Sequence, residues 1–259
     1  MKYEYRRSFD ISYSRSDRAL ELSLADAVSM TQDMNTYYFK SIGSDNLTVK
    51  NKNDALWVLT KTRLHFLKNA KWTETLEGRS VIIKNRGFRA ELETVFKKGE
   101  ESAFIAKQEL CVIDASKRRI RSIDSISFPK DMEAEKESFP LDFFRLREEF
   151  GNENPVYGDF FRLTDIDFSR HVNNVAYVRY FANALGWDFF EENRIVDFEI
   201  HYRHESREGA AFEVFRRENR KENSNEQGSL KIIDMQMASE GNLVSQVRLL
   251  YEAKPTCTC

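Results

Sequence analysis

The chain has 259 residues, 41% hydrophobic and 13% aromatic, which is enough apolar side chain for a sizeable core and excludes wholesale disorder. Forty Lys and Arg against 42 Asp and Glu leave a net charge of −2, which argues against a chain-wide nucleic-acid binder. No apolar run approaches the ~18 residues of a membrane span. At roughly 150 residues per domain, one large or two modest domains remain open. Basic residues follow Met1 without an apolar block, so no secretory leader is expected. The odd cysteine count, Cys111, Cys257 and Cys259, makes no disulfide framework. The Cys-Thr-Cys tail has no histidine beside it and reads as a reduced terminus. A cytoplasmic protein is expected.

In chain order, residues 22–42 form the first predicted helix, with Leu24, Val28, Met34 and Tyr38 near helical spacing. Strands follow at Ala55–Phe66, 79–85, 87–97 and 102–114, and residues 97–100 make a hairpin turn. Three of the four prolines, Pro129, Pro140 and Pro155, then fall in one stretch. Between the first two the sequence is polar and lacks apolar periodicity, so 131–140 reads as a linker between halves 1–130 and 141–259. The second half repeats the order. A helix is predicted over 173–185, capped by Asn173 or Asn174 and stopped by Gly186. Strands follow at 194–205, 210–218, 229–238 and 243–253, with a turn at 240–242.

Strand 194–205 alternates. Val196, Phe198, Ile200 and Tyr202 face one way; Asp197, Glu199, His201, Arg203 and Glu205 face the other, and such a polar face ordinarily meets solvent. Aligning it with Ala55–Phe66 sets His65 opposite His204 and Phe66 opposite Glu205. One helix followed by four hairpin-linked strands, twice over, predicts an α+β fold in which each curved antiparallel sheet wraps a long helix. It is not a doubly wound parallel sheet.

The densest polar constellation is Asp165-Ile166-Asp167-Phe168-Ser169-Arg170-His171-Val172-Asn173-Asn174, directly before the second helix. Two carboxylates, a hydroxyl, an imidazole and two amides converge where unpaired amides and the positive dipole end can stabilise an oxyanion. Composition alone is equally served by a capped, decorated loop.

This stretch resembles the signature of the acyl-acyl-carrier-protein (acyl-ACP) thioesterase family, Asp-Leu-Asp-x-Asn-x-His-x-Asn-Asn followed by an aromatic four residues on. Tyr202-Arg203-His204-Glu205-Ser206 is similar to the family's Tyr-Arg-Arg-Glu-Cys motif, and Ala55-Leu-Trp-Val-Leu to a further family feature. The resemblance spans most of the chain and implies a double hot-dog fold and hydrolysis of a fatty acyl thioester. It carries the family's catalytic Asp, His and Glu onto Asp167, His171 and Glu205, and Asn173 and Asn174 are the candidate substrate-binding amides. Two of the departures from these motifs bear on the chemistry. Ser169 stands in place of the family's Asn, offering one hydroxyl of shorter reach. Ser206 stands in place of Cys, so a papain-like thiol mechanism is not open to this chain. Either Glu205 or Asp167 then activates water or attacks the carbonyl, with His171 and helix-start amides polarising it.

The loop before the first helix, 14–21, lacks the Asp-x-x-x-His spacing, so the first half is expected to supply apolar walls instead, with Met30, Met34 and Tyr37 as candidates or as plain core. The one concentrated basic run, Lys117-Arg118-Arg119-Ile120-Arg121, is a solvated turn or a steering patch for an acidic carrier protein. His65, His201 and His204 lack metal-ligand spacing. With no Gly-rich phosphate loop or zinc-like Cys pair, no cofactor or metal is expected. The resemblance makes an acyl carrier protein the partner, in a bacterial-type enzyme without a leader that works as a monomer or homodimer. An acyl-CoA thioesterase or a non-catalytic acyl-thioester binder are the alternatives.

Overall fold

The computed structural model describes residues 3–130, 132, 135–146, 150, 153–219 and 230–254. Cys257, Cys259 and parts of the expected linker and of strand 229–238 lie outside them. The chain divides into two compact units, Met1–Asp142 and Phe143–Cys259.

In the first unit, Ser23 starts helix α1 (Leu24–Ser41) by accepting the Asp26 amide, which satisfies one of the free first-turn donors. Leu24, Ala27, Val28, Thr31, Met34, Asn35 and Tyr38 recur at three- and four-residue steps and are buried. The sheet order is β1 (Glu4–Asp10), β3 (Thr75–Arg86), β4 (Arg89–Lys98), β5 (Glu101–Asp114), β2 (Ala55–Phe66), antiparallel throughout, and β6 (Ile120–Arg121) pairs with the end of β5. Gly78 of β3 lies under the helix. A β-carbon there would meet the Phe96 ring at 3.0 Å and Met34 Sδ at 3.1 Å, so the close approach of α1 requires a residue without one. Helix α2 (Asn46–Asn53), capped by Asp45, precedes β2. Sequence patterning missed β1 because Glu4, Arg6 and Arg7 give it no apolar alternation. It is an edge strand held to β3 by Arg6–Glu77 and Arg79–Glu4 ion pairs, each 2.6 Å.

In the second unit, Asn173 caps α3 (Asn174–Leu185) by accepting the Val175 amide. Gly186, with φ of +80°, ends that helix and begins the short α4 (Trp187–Glu192). The sheet order is β8 (Asn193–Tyr202), β11 (Asn242–Ala253), β10 (Lys231–Ser239), β9 (Ala211–Asn219), β7 (Tyr157–Phe160), again antiparallel. Helix α3 packs through aromatics: Tyr180 meets Phe212 at 4.6 Å and Tyr177 meets Phe161 at 5.4 Å between ring centroids.

The outer sheet faces are not left to solvent. Residues 135–139 of the expected linker lie across the first sheet: Glu135 N donates to Ile82 O of β3, the Ser138 and Phe139 amides donate to Glu93 of β4, Glu137 pairs with Lys107 of β5, and Phe139 stacks on His65 of β2. Described residues of the stretch before β7 bond to the second sheet in the same way. Phe144 N donates to Glu199, Arg203 donates to Leu146 O, and Phe150 N donates to Gln236. The polar face of β8 is therefore buried. Glu199 is 0% and His201 3% exposed, joined by a 2.5 Å Oε1–Nε2 contact.

Candidate active site

The loop from Arg162 to Asn173 is a small closed frame. Asp167 N donates to His171 O, Arg170 N donates to Asp167 O, and Asn173 N donates to Asp165 O. Arg170 turns the chain at φ of +66°, a left-handed conformation that costs a non-glycine residue about 1 kcal/mol. The Asp165 carboxylate belongs to the frame: it is 8% exposed, accepts the Arg162 amide at 2.8 Å and the Tyr180 hydroxyl at 2.6 Å. Burial and that carboxylate raise the Tyr180 phenol well above its ordinary value.

Asp167 is used differently. Its Oδ1 accepts the Ser169 amide at 2.8 Å and the Ser169 hydroxyl at 2.5 Å. Ser169 Oγ then stands 3.3 Å from His171 Nδ1, and His171 Nε2 stands 3.4 Å from Glu205 Oε2. A hydroxyl has a single proton, and this one points at Asp167. With that proton so directed, Oγ is placed to accept from a protonated Nδ1, and Nε2 faces Glu205.

Glu205 does not lie on a strand as the alternation predicts. β8 ends at Tyr202, and residues 203–206 continue as irregular chain in which the Ser206 carbonyl accepts the Val172 amide. That one bond brings Glu205 against the His171 loop, with 41% of the glutamate side chain exposed and 20% of the imidazole. Asn173 spends its Oδ1 on capping α3, while the Asn174 side chain makes no hydrogen bond among the described residues. Ser206 is buried, His204 Nδ1 lies 2.8 Å from Leu243 O, and His65 and His201 sit on the outer sheet faces. Cys111 is buried in β5, where burial pushes its thiol up, far in sequence from this loop.

Two family models cover most of the chain: the acyl-ACP thioesterase N-terminal domain over residues 2–127 and its C-terminal domain over residues 158–253. The chain belongs to the acyl-ACP thioesterase family. Among solved structures, an acyl-ACP thioesterase from Bacteroides thetaiotaomicron superposes with a TM-score of 0.79 at 17% identity, covering 96% of this chain and 98% of that one. A 12:0-ACP thioesterase from Umbellularia californica does so with a TM-score of 0.81 at 19% identity, covering 97% and 95%. At these identities the likeness is one of fold, and it supports the hot-dog reading of each unit. No curated protein matches the sequence.

Within this acyl-ACP thioesterase the first unit carries the same loop frame with altered chemistry. Asp17 N donates to Glu21 O, Leu20 N donates to Asp17 O with φ of +58° at Leu20, and Leu22 N donates to Ala70 O. Asp17, Ala19 and Glu21 thus occupy the places of Asp167, Ser169 and His171. By the Leu22–Ala70 bond, Asn69 occupies the place of Glu205, and its Nδ2 donates to Glu21 Oε2 at 2.5 Å. The expected pairing of Phe66 with Glu205 is corrected by three residues: Phe66 and Tyr202 are the two strand ends. The corrected register sets His65 opposite His201, and backbone hydrogen bonds define the equivalence. Met30 and Met34 are buried in this unit, but Tyr37 is 41% exposed and stacked on Tyr5, so it lines no interior wall. Sequence reasoning also passed over Tyr177. It is the aromatic of the signature, and burial pushes its phenol up to about 12.

Proposed function

We propose that this chain hydrolyses fatty acyl-ACP thioesters through Asp167, Ser169, His171 and Glu205. The observation that carries the reading is the unbroken line of contacts Asp167–Ser169–His171–Glu205 at 2.5, 3.3 and 3.4 Å, placed just before the N-terminus of α3. Glu205 is the open end of that line and takes a proton from water as the water oxygen attacks the thioester carbonyl. His171, held in one tautomer by Ser169, orients the water through Nε2. The N-terminal end of α3 faces the developing oxyanion, with Asn174 as a side-chain donor. Collapse of the tetrahedral intermediate breaks the C–S bond. The proton held by Glu205 passes to the departing pantetheine thiolate, giving free fatty acid and holo-carrier. Asp167 is read as the anchor of the line, its Oδ1 holding both Ser169 donors, and direct water attack is the route proposed over an acyl–Asp167 anhydride.

A single turnover in 18O-water tests that choice: label in the fatty acid alone agrees with direct attack, and label in the Asp167 carboxylate overturns it. Glu205→Gln, His171→Ala and Asp167→Ala each lower kcat at least about 100-fold, as expected for acid–base groups. Full activity in any one of them removes that residue from the set. The single described cysteine is buried and unpaired, which supports the cytoplasm as the working compartment.

A further inference from the structure

The basic run 117–121 has no part in the site above. It closes β5 onto β6: Asp114 accepts the amides of Ser116 and Lys117, and Arg118 turns the chain at φ of +56°. Between Asp114 and Arg121 stand four cations and one carboxylate, and that carboxylate is committed to the turn. Arg121 is turned inward, donating to the carbonyls of Asn53 and Ser125. Lys117, Arg118 and Arg119 stay exposed. The β3–β4 turn is bound alongside, because Ile123 N and Ser122 Oγ both donate to Gly87 O. That turn adds exposed Arg86 and Phe88. Phe88 is 58% exposed and Ile120 59%, two of the most open large apolar side chains in the unit. Among the described residues, Arg86, Lys117 and Arg119 make no ion pair.

We propose that this end of the first unit is a docking surface for the acidic face of the acyl carrier protein. The proposal rests on the reading of the chain as a hydrolase of carrier-bound acyl groups. Uncompensated cations on a chain whose net charge is −2 concentrate positive potential in one place, which steers an acidic partner. Two apolar side chains among them supply the desolvated contact that long-range attraction cannot. A nucleic acid would need a longer basic track, and this surface is confined to two adjoining turns.

The test compares one acyl chain on two carriers, the acyl carrier protein and free pantetheine, using Lys117→Glu/Arg119→Glu and Phe88→Ala. Both substituted surfaces are exposed and lie outside the catalytic set. The charge-reversed enzyme should lose about tenfold or more in kcat/KM on carrier-bound substrate, within the range of electrostatic steering. It should lose the dependence of that constant on ionic strength and stay within twofold of the parent on acyl-pantetheine. Phe88→Ala should raise KM for carrier-bound substrate alone. Equal loss on both substrates, no loss on either, or binding to anionic vesicles abolished while carrier kinetics are unchanged would each overturn the proposal. Absence of carrier-bound hydrolysis in the parent chain would instead overturn the underlying functional reading.

Discussion

Ser169 is one of the positions at which this chain leaves the signature it resembles, and the geometry sets what its removal should do. In Ser169→Ala the hydroxyl donated to Asp167 at 2.5 Å and the acceptor offered to His171 at 3.3 Å both disappear, while the Ser169 backbone amide still holds Asp167 at 2.8 Å. A hydrogen bond to a charged group is worth about 1.5–3 kcal/mol, and the surviving amide keeps the cost at the lower end. At about 1.4 kcal/mol per factor of ten, kcat should fall roughly 10- to 30-fold with KM little changed. The fold should not suffer. The first unit already carries alanine in this position, and Asp17 there still accepts the amides of Ala19 and Glu21 at 2.9 and 3.0 Å. The assay is steady-state thiol release from acyl-ACP, beside a thermal melt, with Ser169→Thr as the conservative variant expected to recover much of the rate. Unchanged kcat in Ser169→Ala would refute the positioning role. A loss as deep as that of His171→Ala would make the hydroxyl a participant in the chemistry.

Other outcomes follow from the packing. Glu93 is 1% exposed and accepts from the Ser138 and Phe139 amides and the Ser138 hydroxyl, so Glu93→Gln should lower stability by about 1–3 kcal/mol, read as an earlier urea midpoint. Gly78→Ala forces a methyl to 3.0 Å from Phe96 and should cost about 1–3 kcal/mol, with catalysis per folded molecule preserved. Burial would raise the Asp45 carboxyl, but the Thr48 hydroxyl and the amides of Thr48 and Leu47 outweigh it and hold it low. A depressed folded value stabilises above the unfolded one. The ~1 kcal/mol lost in Asp45→Ala at neutral pH should therefore shrink as pH falls through the acid range, in melts of both proteins. In a Cys257→Ser/Cys259→Ser background, the buried Cys111 should react with a thiol reagent at pH 8 only on unfolding, and fast native labelling would contradict its burial.

Helices and hairpin strands were legible because their cues are local. Ser23 and Asn173 cap, Gly186 stops, and Ala55–Phe66 alternates within its own length. The charged β1 was not, since an edge strand satisfied by cross-strand ion pairs needs no apolar face. Nor was the burial of Glu93, Glu199 and His201. Each lies on what local alternation marks as a solvent face, and only a remote segment laid across the sheet reverses that.

The order of side chains alone determined the repeat of helix and four strands, the constellation from Asp165 to Asn174, and the family likeness, because all three are written in consecutive residues. Folding decided what each member of the constellation does. Asp165 turns inward to Tyr180 while Asp167, two residues on, holds Ser169, and a single Val172–Ser206 hydrogen bond carries Glu205 to His171 across 33 intervening residues. Sequence specifies which groups are present and their local conformation; proximity between distant groups comes only from closing the chain on itself, and it is proximity that gives two carboxylates of one loop different partners.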